Sequence, residues 1–426
     1  MADLFDDLRW RGLVYQATDD ALAATLSAGP MAVYHGMDAT ADSLHIGSLV
    51  GVVILQRLQR AGHRPLALLG GGTTLIGDPS FRRTARPLLS AGQIEANAAG
   101  IRAQLERFLD FGPGPSGATL LNNADWLSST PLTNFLRDVG KHFTINAMLA
   151  KESVRSRLED PDQGISFTEF SYMLLQAYDF LHLFEAHGCR LQIGGSDQWG
   201  NITAGIDLIR RVRSAEAYGF TWPLVTKADG SKFGKSQAGN VWLDPARTSP
   251  YEFFQFWMGA DDRDVGRYLR LLTFLDRERI EELESETAMR PERRNAQRAL
   301  ADALTVAVHG QDEAVRAGQA SAALFSGDLP SLDEAALVEV FAEAPSTTVA
   351  RSRLDGAGVA LVELLAESGL VTSRSAARQA ITQGGVSLNG QREGDVDRRV
   401  VAADLLAGGY LVVRRGKRSY HLLCAR

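Results

Sequence analysis

Residues 31–62 read MAVYHGMDATADSLHIGSLVGVVILQRLQRAG, and two periodicities meet within them. Residues 31–37 form a short apolar run of strand length, followed by a polar turn. From about Leu44 the apolar residues recur at helical spacing, with Ser43 placed to cap the start and Gly62 to stop the end. Pro65 precedes a second strand at 66–70, which runs into Gly70-Gly71-Gly72-Thr73-Thr74. A further helix is expected near Ser90, where Ser90 and Gln93 have capping-box spacing, and another strand at 118–122. This alternation predicts an α/β fold with a Rossmann-like parallel sheet, whose ligands sit at the carboxyl ends of the strands.

The same rhythm continues outward. Ser166 and Glu169 repeat the capping-box spacing and open a helix that should end near Gly188. A strand at 190–193 follows, then Gly194-Gly195-Ser196-Asp197 at the start of another helix. Residues 222–226 and 240–243 flank a polar loop, 227–239. From 249 to about 325 the pattern is helical and rich in arginine, whereas 326–355 is weakly patterned and reads as a linker. Two short helices and turn-and-strand material at 384–390 and 408–423 complete the chain. The expected organisation is therefore a catalytic domain at 1–225, a loop and α-helical domain at 226–325, a linker at 326–355 and a small α+β domain at 356–426. No internal repeat is visible.

With 426 residues, 45% of them hydrophobic and 23% charged, the chain has material for two or three ordinary globular domains. Met1 to Trp10 is acidic and lacks the apolar core of a secretory signal, and no window approaches the length of a membrane span. The two cysteines, Cys189 and Cys424, have no C-x-x-C partner, so neither a disulfide framework nor a protein-held metal is expected. These features predict a cytoplasmic enzyme with no membrane partner. The net charge of −6 argues against RNA until its distribution is read. Residues 358–426 hold ten Lys/Arg and six Asp/Glu, a local +4, leaving −10 for the remainder. A small basic module on an acidic body points to an RNA ligand.

Two motifs carry the chemistry. Leu44-His45-Ile46-Gly47 opens a helix after a strand, where free N–H groups and a partial positive charge suit phosphate. Alone it reads more readily as a surface histidine and a packing glycine than as a phosphate site. About 190 residues later, Lys232-Phe233-Gly234-Lys235-Ser236 sets two lysines three apart in a glycine-bearing loop, cations suited to charge developing on a leaving pyrophosphate. A stripe at i, i+4 and i+7, Tyr172, Gln176 and Asp179, puts polar groups on one helix face amid Phe, Met and Leu. It reads as a ligand site or as a satisfied buried network.

Together these segments resemble the HIGH and KMSKS signatures of class I aminoacyl-tRNA synthetases. The stretches 34–47 (YHGMDATADSLHIG), 167–179 (FTEFSYMLLQAYD) and 192–199 (QIGGSDQW) narrow the resemblance to the bacterial-type tyrosyl-tRNA synthetases. The resemblance implies that Tyr172, Gln176 and Asp78 hold the ammonium of L-tyrosine, and that Asp179 and Tyr34 bond its phenol. It further implies that Thr40 and His45 meet the γ-phosphate end of ATP, that Lys232 and Lys235 meet the departing pyrophosphate, and that Arg82 and Arg86 form a second basic loop. Gly47, Ser48, Gly195 and Asp197 would border the nucleotide, Asp197 at its ribose. Magnesium would accompany ATP. Residues 226–325 would bind the anticodon region, and 356–426 resembles an alpha-L type RNA-binding domain. There Arg374 and Arg378 lie four apart on a short helix, with Arg414, Arg415 and Lys417 close behind, all facing tRNA(Tyr). A homodimer is implied as well. Three positions depart from the family pattern: Ser48 replaces the second histidine of HIGH, Ala39 a proline and His35 a cysteine.

Three other readings compete. A tryptophanyl enzyme shares the catalytic fold but would leave Tyr34, Asp179 and the basic module unexplained. A small-molecule nucleotidyltransferase with a related motif would leave the helical middle without a purpose. A catalytically silent RNA-binding relative would have no need of His45, Lys232, Lys235 and Asp179.

Overall fold

In the computed structural model the described residues are 3–80, 89–151, 154–155, 158, 164–230, 233–236, 239–342, 344–416 and 419–426. Contacts divide the chain into two compact units, Met1–Thr248 with Ala260–Leu300, and Ser249–Gly259 with Ala301–Arg426.

The first unit is built on a sheet of six strands among the described residues: β1 (Gln16–Ala17), β2 (Ala32–Met37), β3 (Arg64–Leu69), β4 (Thr119–Asn122), β5 (Cys189–Gly195) and β6 (Tyr218–Trp222). Their order is β1-β6-β5-β2-β3-β4. All pairings are parallel except the edge pair β1–β6. From β2 the chain first builds outward through β3 and β4, then returns to lay β5 on the other flank of β2. That reversal opens a crevice at the carboxyl ends of β2 and β5. Strands β3, β5 and β6 are buried on both faces, which is why β3 and β5 read as apolar runs and not as alternation.

The helices that frame the crevice follow from local chemistry. Both predicted capping boxes form, Ser90 with Gln93 and Ser166 with Glu169. The second opens the helix Phe167–His187, which Gly188 ends in the left-handed region at φ +64°. One expectation is corrected. Ser43 is not a helix cap: its hydroxyl donates to the Leu44 carbonyl and accepts from Gln104 Nε2. The chain instead makes a single 3₁₀ turn, Ile46–Ser48, capped by His45, before the helix Leu49–Arg60 begins. A histidine nitrogen has taken the place that a serine oxygen usually fills, which sequence rules for caps do not anticipate.

The helix Phe167–His187 packs against Trp199–Arg213 and on a core that includes Tyr34, Leu66, Met173, Ala177, Phe180 and Leu208. Gly205 allows the close approach, since a Cβ there would lie 2.9 Å from Phe180 Cδ1 and 3.1 Å from its Cβ.

The expected domain boundary at 226–325 differs from the observed division. Residues 260–300 belong to the first unit because Arg11, almost fully buried, donates to the carbonyls of Arg270, Thr273 and Leu275. In the second unit, the helix Pro250–Met258 lies against Gln311–Ser326. The stretch 326–355, expected as a linker, holds the helix Glu334–Val340 and the strand Ser346–Val349. Leu337 and Phe341 are buried with Leu329, Leu406, Val412 and Leu422, and the strand pairs in parallel with Ser419–Ala425. Elements of four to seven residues leave too little periodicity to be read. The rest of the module follows expectation: the helices Leu361–Glu367 and Arg374–Thr382 share an apolar core with an otherwise antiparallel sheet.

Gly205→Ala tests this packing. Helix propensity favours alanine by ~1 kcal/mol, whereas forcing a methyl against Phe180 costs about 1–3 kcal/mol. We expect a lower urea midpoint and a raised KM for the ligand of the adjacent crevice. A higher midpoint with unchanged KM would contradict the close-approach account.

Candidate active site

The crevice contains a cavity of about 270 Å³ lined from the carboxyl ends of β2, β3, β5 and β6 and from the helix Phe167–His187. Among the predicted residues it gathers Tyr34, Gly47, Asp78, Tyr172, Gln176, Asp179, Gly195 and Asp197.

Its closed end is defined by Asp179. This carboxylate is 2% exposed and accepts from Trp126 Nε1 at 2.7 Å and Asn123 Nδ2 at 2.8 Å. Burial raises its pKa to about 7, against the two hydrogen bonds, which favour the ionised form. Asn123 follows β4 and is tied to the glycine-rich stretch: its Oδ1 accepts from Gly72 N at 2.8 Å and its Nδ2 also donates to Thr73 Oγ1. Trp126 stacks on His182 with centroids 4.3 Å apart. Tyr34, from β2, is buried edge-on to Phe180, and its hydroxyl has no partner. Burial and the Asp179 charge push that phenol well above its ordinary range, so the hydroxyl keeps its proton.

Toward the opening a chain of amides orders a second polar group. Gln176 Nε2 donates to Gln198 Oε1 at 3.2 Å, and Gln198 Nε2 donates to Asp78 Oδ2 at 2.7 Å. Gln176 Oε1 is left as a buried acceptor without a partner. Buried unpaired polar atoms each cost roughly 1–3 kcal/mol, so atoms of this kind on a cavity wall mark where a ligand's polar groups belong. One is a hydroxyl beside a carboxylate. The others are the amide acceptors Gln176 Oε1 and Gln192 Oε1, of which the first is linked to Asp78 through Gln198 and suits a cation.

The third region is the His45 turn. Gly47 N donates to His45 Nδ1 at 3.0 Å, so that nitrogen is unprotonated and the neutral ring carries its proton on Nε2. Burial lowers the His45 pKa, which keeps the ring neutral at pH 7 and makes Nε2–H a donor. A Cβ on Gly47 would lie 2.7 Å from His45 Cε1, so only glycine lets the ring fold back onto this turn. His35 is also neutral, its pKa pushed down to about 4 by burial. Its Nδ1 meets the Ile193 carbonyl at 3.4 Å, its ring lies edge-on to Trp222, and it fills the space beside Gly51. Burial also raises the Asp197 pKa, with the Asp78 and Asp38 charges in the same direction and the Gln198 hydrogen bond opposing.

Other predicted residues stand apart. Thr40 is exposed, and Thr40, His45 and Ser48 do not line the cavity. The Ser48 side chain makes no capping bond to the helix that follows it. Arg82, Arg86, Lys232 and Lys417 lie outside the described residues, and only the backbone of Lys235 is described, in a short strand with Ser236 paired to Gly239–Asn240. In the C-terminal module Arg374 and Arg378 project from one exposed helix, 3.4 Å from Glu363 and 3.6 Å from Asp397 respectively. Arg415 is exposed and donates to the Leu370 carbonyl. Arg414 is half-buried and donates to Ser387 Oγ and Tyr420 Oη, which commits much of it to the sheet.

Sequence reading gave no role to Asn123, Trp126 or Gln198. The Asn122-Asn123 pair at the carboxyl end of a strand was a usable signal. Nothing local distinguished Trp126 from a core aromatic.

Comparison with known proteins agrees with this arrangement. A family profile described as class I tRNA synthetases (W and Y) matches residues 26–326, and one described as the tyrosine–tRNA ligase SYY-like C-terminal domain matches 337–423. The chain is 55% identical over 423 residues to a tyrosine–tRNA ligase of Roseiflexus castenholzii and 52% identical to one of Bacillus caldotenax, covering 99% of each chain in both comparisons. Among solved structures, it is similar to a C-terminally truncated mitochondrial tyrosyl-tRNA synthetase of Aspergillus nidulans. That match has a TM-score of 0.69 and 32% identity over 76% of this chain and 95% of the other. The fold with its switch-point cavity, the HIGH-type turn and the full-length similarity all agree: the chain belongs to the bacterial-type tyrosyl-tRNA synthetases, class I aminoacyl-tRNA synthetases that use ATP as a substrate.

Proposed function

We propose that this chain joins L-tyrosine to ATP and then transfers the tyrosyl group to tRNA(Tyr), with the residues of the cavity in the following roles. The observation that carries the reading is the unpartnered Tyr34 hydroxyl beside the buried Asp179 at the closed end of the cavity. The phenol of tyrosine donates to Asp179 and accepts from Tyr34, while Gln176 Oε1, Tyr172 and Asp78 receive the ammonium. Phenylalanine leaves Asp179 and Tyr34 desolvated without a ligand partner, and an indole cannot supply the accepting oxygen.

In the first step a tyrosine carboxylate oxygen attacks the α-phosphorus of ATP, and the bond to the bridging oxygen of pyrophosphate breaks. The carboxylate is ionised at pH 7, so no enzymic base is required and catalysis reduces to alignment and charge. His45 Nε2–H and Thr40 meet the terminal phosphate, Gly47 and Gly195 admit the nucleotide, and Asp197 accepts from its ribose. Lys232, Lys235, Arg82 and Arg86 compensate the charge that develops on pyrophosphate. Ser48 borders the same nucleotide with a shorter reach than histidine. Magnesium arrives as part of the ATP substrate. In the second step a hydroxyl of the 3′-terminal ribose attacks the tyrosyl carbonyl and AMP leaves.

The +4 module supports tRNA binding by Arg374, Arg378, Arg415, Lys417 and, to a lesser degree, Arg414, and residues 226–325 are read as the anticodon-binding region. A homodimer in the cytoplasm completes the reading. A groove of about 570 Å³ is lined by Leu132, Leu136, Ile145 and Phe167, which are 52–80% exposed and suit a second copy of the chain. A monomer in sedimentation at micromolar concentration would contradict the dimer.

Amino-acid-dependent pyrophosphate exchange tests the function. Exchange should run with tyrosine and be disfavoured with phenylalanine by roughly 10⁵, a magnitude taken from this enzyme family and not obtained from this site. Comparable exchange with phenylalanine or tryptophan would overturn it. In the same assay Arg374→Gln/Arg378→Gln should retain exchange and weaken tRNA binding, with a log–log salt slope shallower by ~0.7–0.9 per lost contact. An unchanged slope would remove these arginines from the interface.

The Asp179 carboxylate also predicts a pH dependence. Its ionised form accepts a hydrogen bond from the phenol, so tyrosine binding is present above the pKa of about 7 and weakens as pH falls through it. Asn123→Ala removes a donor to the charged form and must raise that pKa. The KM for tyrosine, measured between about pH 5.5 and 8.5, should then begin to rise at a higher pH than in the parent enzyme. An identical midpoint would show that Asn123 does not tune Asp179.

A further inference from the structure

The described residues on either side of the two lysines are anchored within the first unit. On the outgoing side, Arg267 Nη2 donates to the Thr226 carbonyl at 3.2 Å and Ala228 N donates to Asp264 Oδ2 at 2.9 Å. The Phe233 ring lies 5.1 Å from that of Tyr268. On the returning side the chain pairs with the His45 turn itself. Val241 N donates to the Gly234 carbonyl, Ile46 N to the Val241 carbonyl at 3.0 Å, and Leu243 N to the Leu44 carbonyl at 2.9 Å. His45 and Trp242 are bridge partners. Gly234, at φ +88°, packs against Ile46 and the Gly47 amide.

Trp242 sits where the returning stem meets the histidine. Its indole meets the His45 imidazole edge-to-face, with centroids 6.0 Å apart and an interplanar angle of 71°. The other constraints on Trp242 are equally specific. The Arg247 guanidinium lies 4.6 Å from the indole centroid and pairs with Asp42 at 2.5 Å, three residues before His45. Trp242 N donates to Thr248 Oγ1 at 3.0 Å. His45 is thus held by Gly47 N on Nδ1 and by the indole on its ring, leaving Nε2–H as the group that can act on a ligand.

We propose that Trp242 is a positioning residue for adenylate formation, holding the His45 imidazole in its donating orientation and tying that orientation to the returning stem of the lysine loop. Trp242 touches no reacting atom in this scheme. Its effect passes through His45, and it therefore rests on the reading that His45 donates to the ATP phosphates. Misplacing a donor by about 1 Å is enough to cost up to ~10²-fold in rate, whereas the tyrosine end of the cavity, built on β2, β4 and the helix Phe167–His187, is untouched.

A double-mutant cycle on the full-length enzyme tests it, with single-turnover adenylate formation and the KM for tyrosine as readouts. Trp242→Ala should slow adenylate formation by about 10- to 100-fold with the KM for tyrosine unchanged. Trp242→Phe, which keeps an aromatic edge, should recover the rate to within about threefold. Trp242→Leu, which keeps bulk without a ring, should resemble alanine and serves if the alanine variant does not fold. In a His45→Ala background, removing the indole should cost less than about twofold more. Full additivity with His45→Ala, a KM for tyrosine that rises in step with the lost rate, or a phenylalanine variant as slow as leucine would each overturn the proposal. If His45→Ala itself leaves the rate unchanged, the reading of His45 as a phosphate donor fails. If it slows the rate and the cycle is additive, only the role of Trp242 fails.

Discussion

A carboxylate removed from water must be answered by donors, and Asp179 is the point on which the site depends. Its own helix supplies none of them. Its donors, Asn123 and Trp126, come from beyond β4, and the Tyr34 hydroxyl, which bonds to neither the carboxylate nor any other group, comes from β2. These segments can meet only because the sheet reverses its order at β2, which brings the ends of β2, β3 and β5 side by side. The hydrogen bonds favour ionisation and burial opposes it more strongly, so the group rests at about 7, close to the pH at which it works.

Two neutral histidines flank the crevice, His35 in the cavity wall and His45 in the adjoining turn, outside that wall. His45 caps its own turn through Nδ1, a bond that fixes the tautomer and leaves a donor on Nε2. A cation there would attract phosphate more strongly but would also hold the ground state, whereas a fixed neutral donor adds little until charge moves. The sequence carries its candidate cations at other positions, Arg82, Arg86, Lys232 and Lys235. His35 occupies the space that Gly51 leaves open, so the departure from cysteine at position 35 is accommodated by packing.

Much of this was legible in the sequence because it is local. Strands β2 to β5, both capping boxes, the stop at Gly188 and the Tyr172–Gln176–Asp179 stripe all depend on residues within a few positions of one another, whereas β1 and β6 were not read. What was not legible depends on distant partners. Ser43 reads as a cap until Gln104, some sixty residues on, engages it, and no residue near Arg11 marks it for burial against the carbonyls of Arg270, Thr273 and Leu275. The helix Glu334–Val340 and the strand Ser346–Val349 were hidden for another reason: they are short, and their order comes from burial of Leu337 and Phe341 and from pairing with the last strand. Trp126 gained meaning only beside Asp179.

The central claim is that the Tyr34 hydroxyl and Asp179 together read the phenol of tyrosine. It is tested most directly by the ratio of kcat/KM for tyrosine to that for phenylalanine, measured by pyrophosphate exchange in the parent enzyme and in Tyr34→Phe. Removing the hydroxyl takes away a bond that only tyrosine can fill and also relieves an unpaired buried group when phenylalanine binds. The ratio should therefore fall by ~10-fold or more, with kcat/KM for tyrosine decreasing and that for phenylalanine holding or rising. A ratio that stays the same, or equal losses for both amino acids, would contradict it.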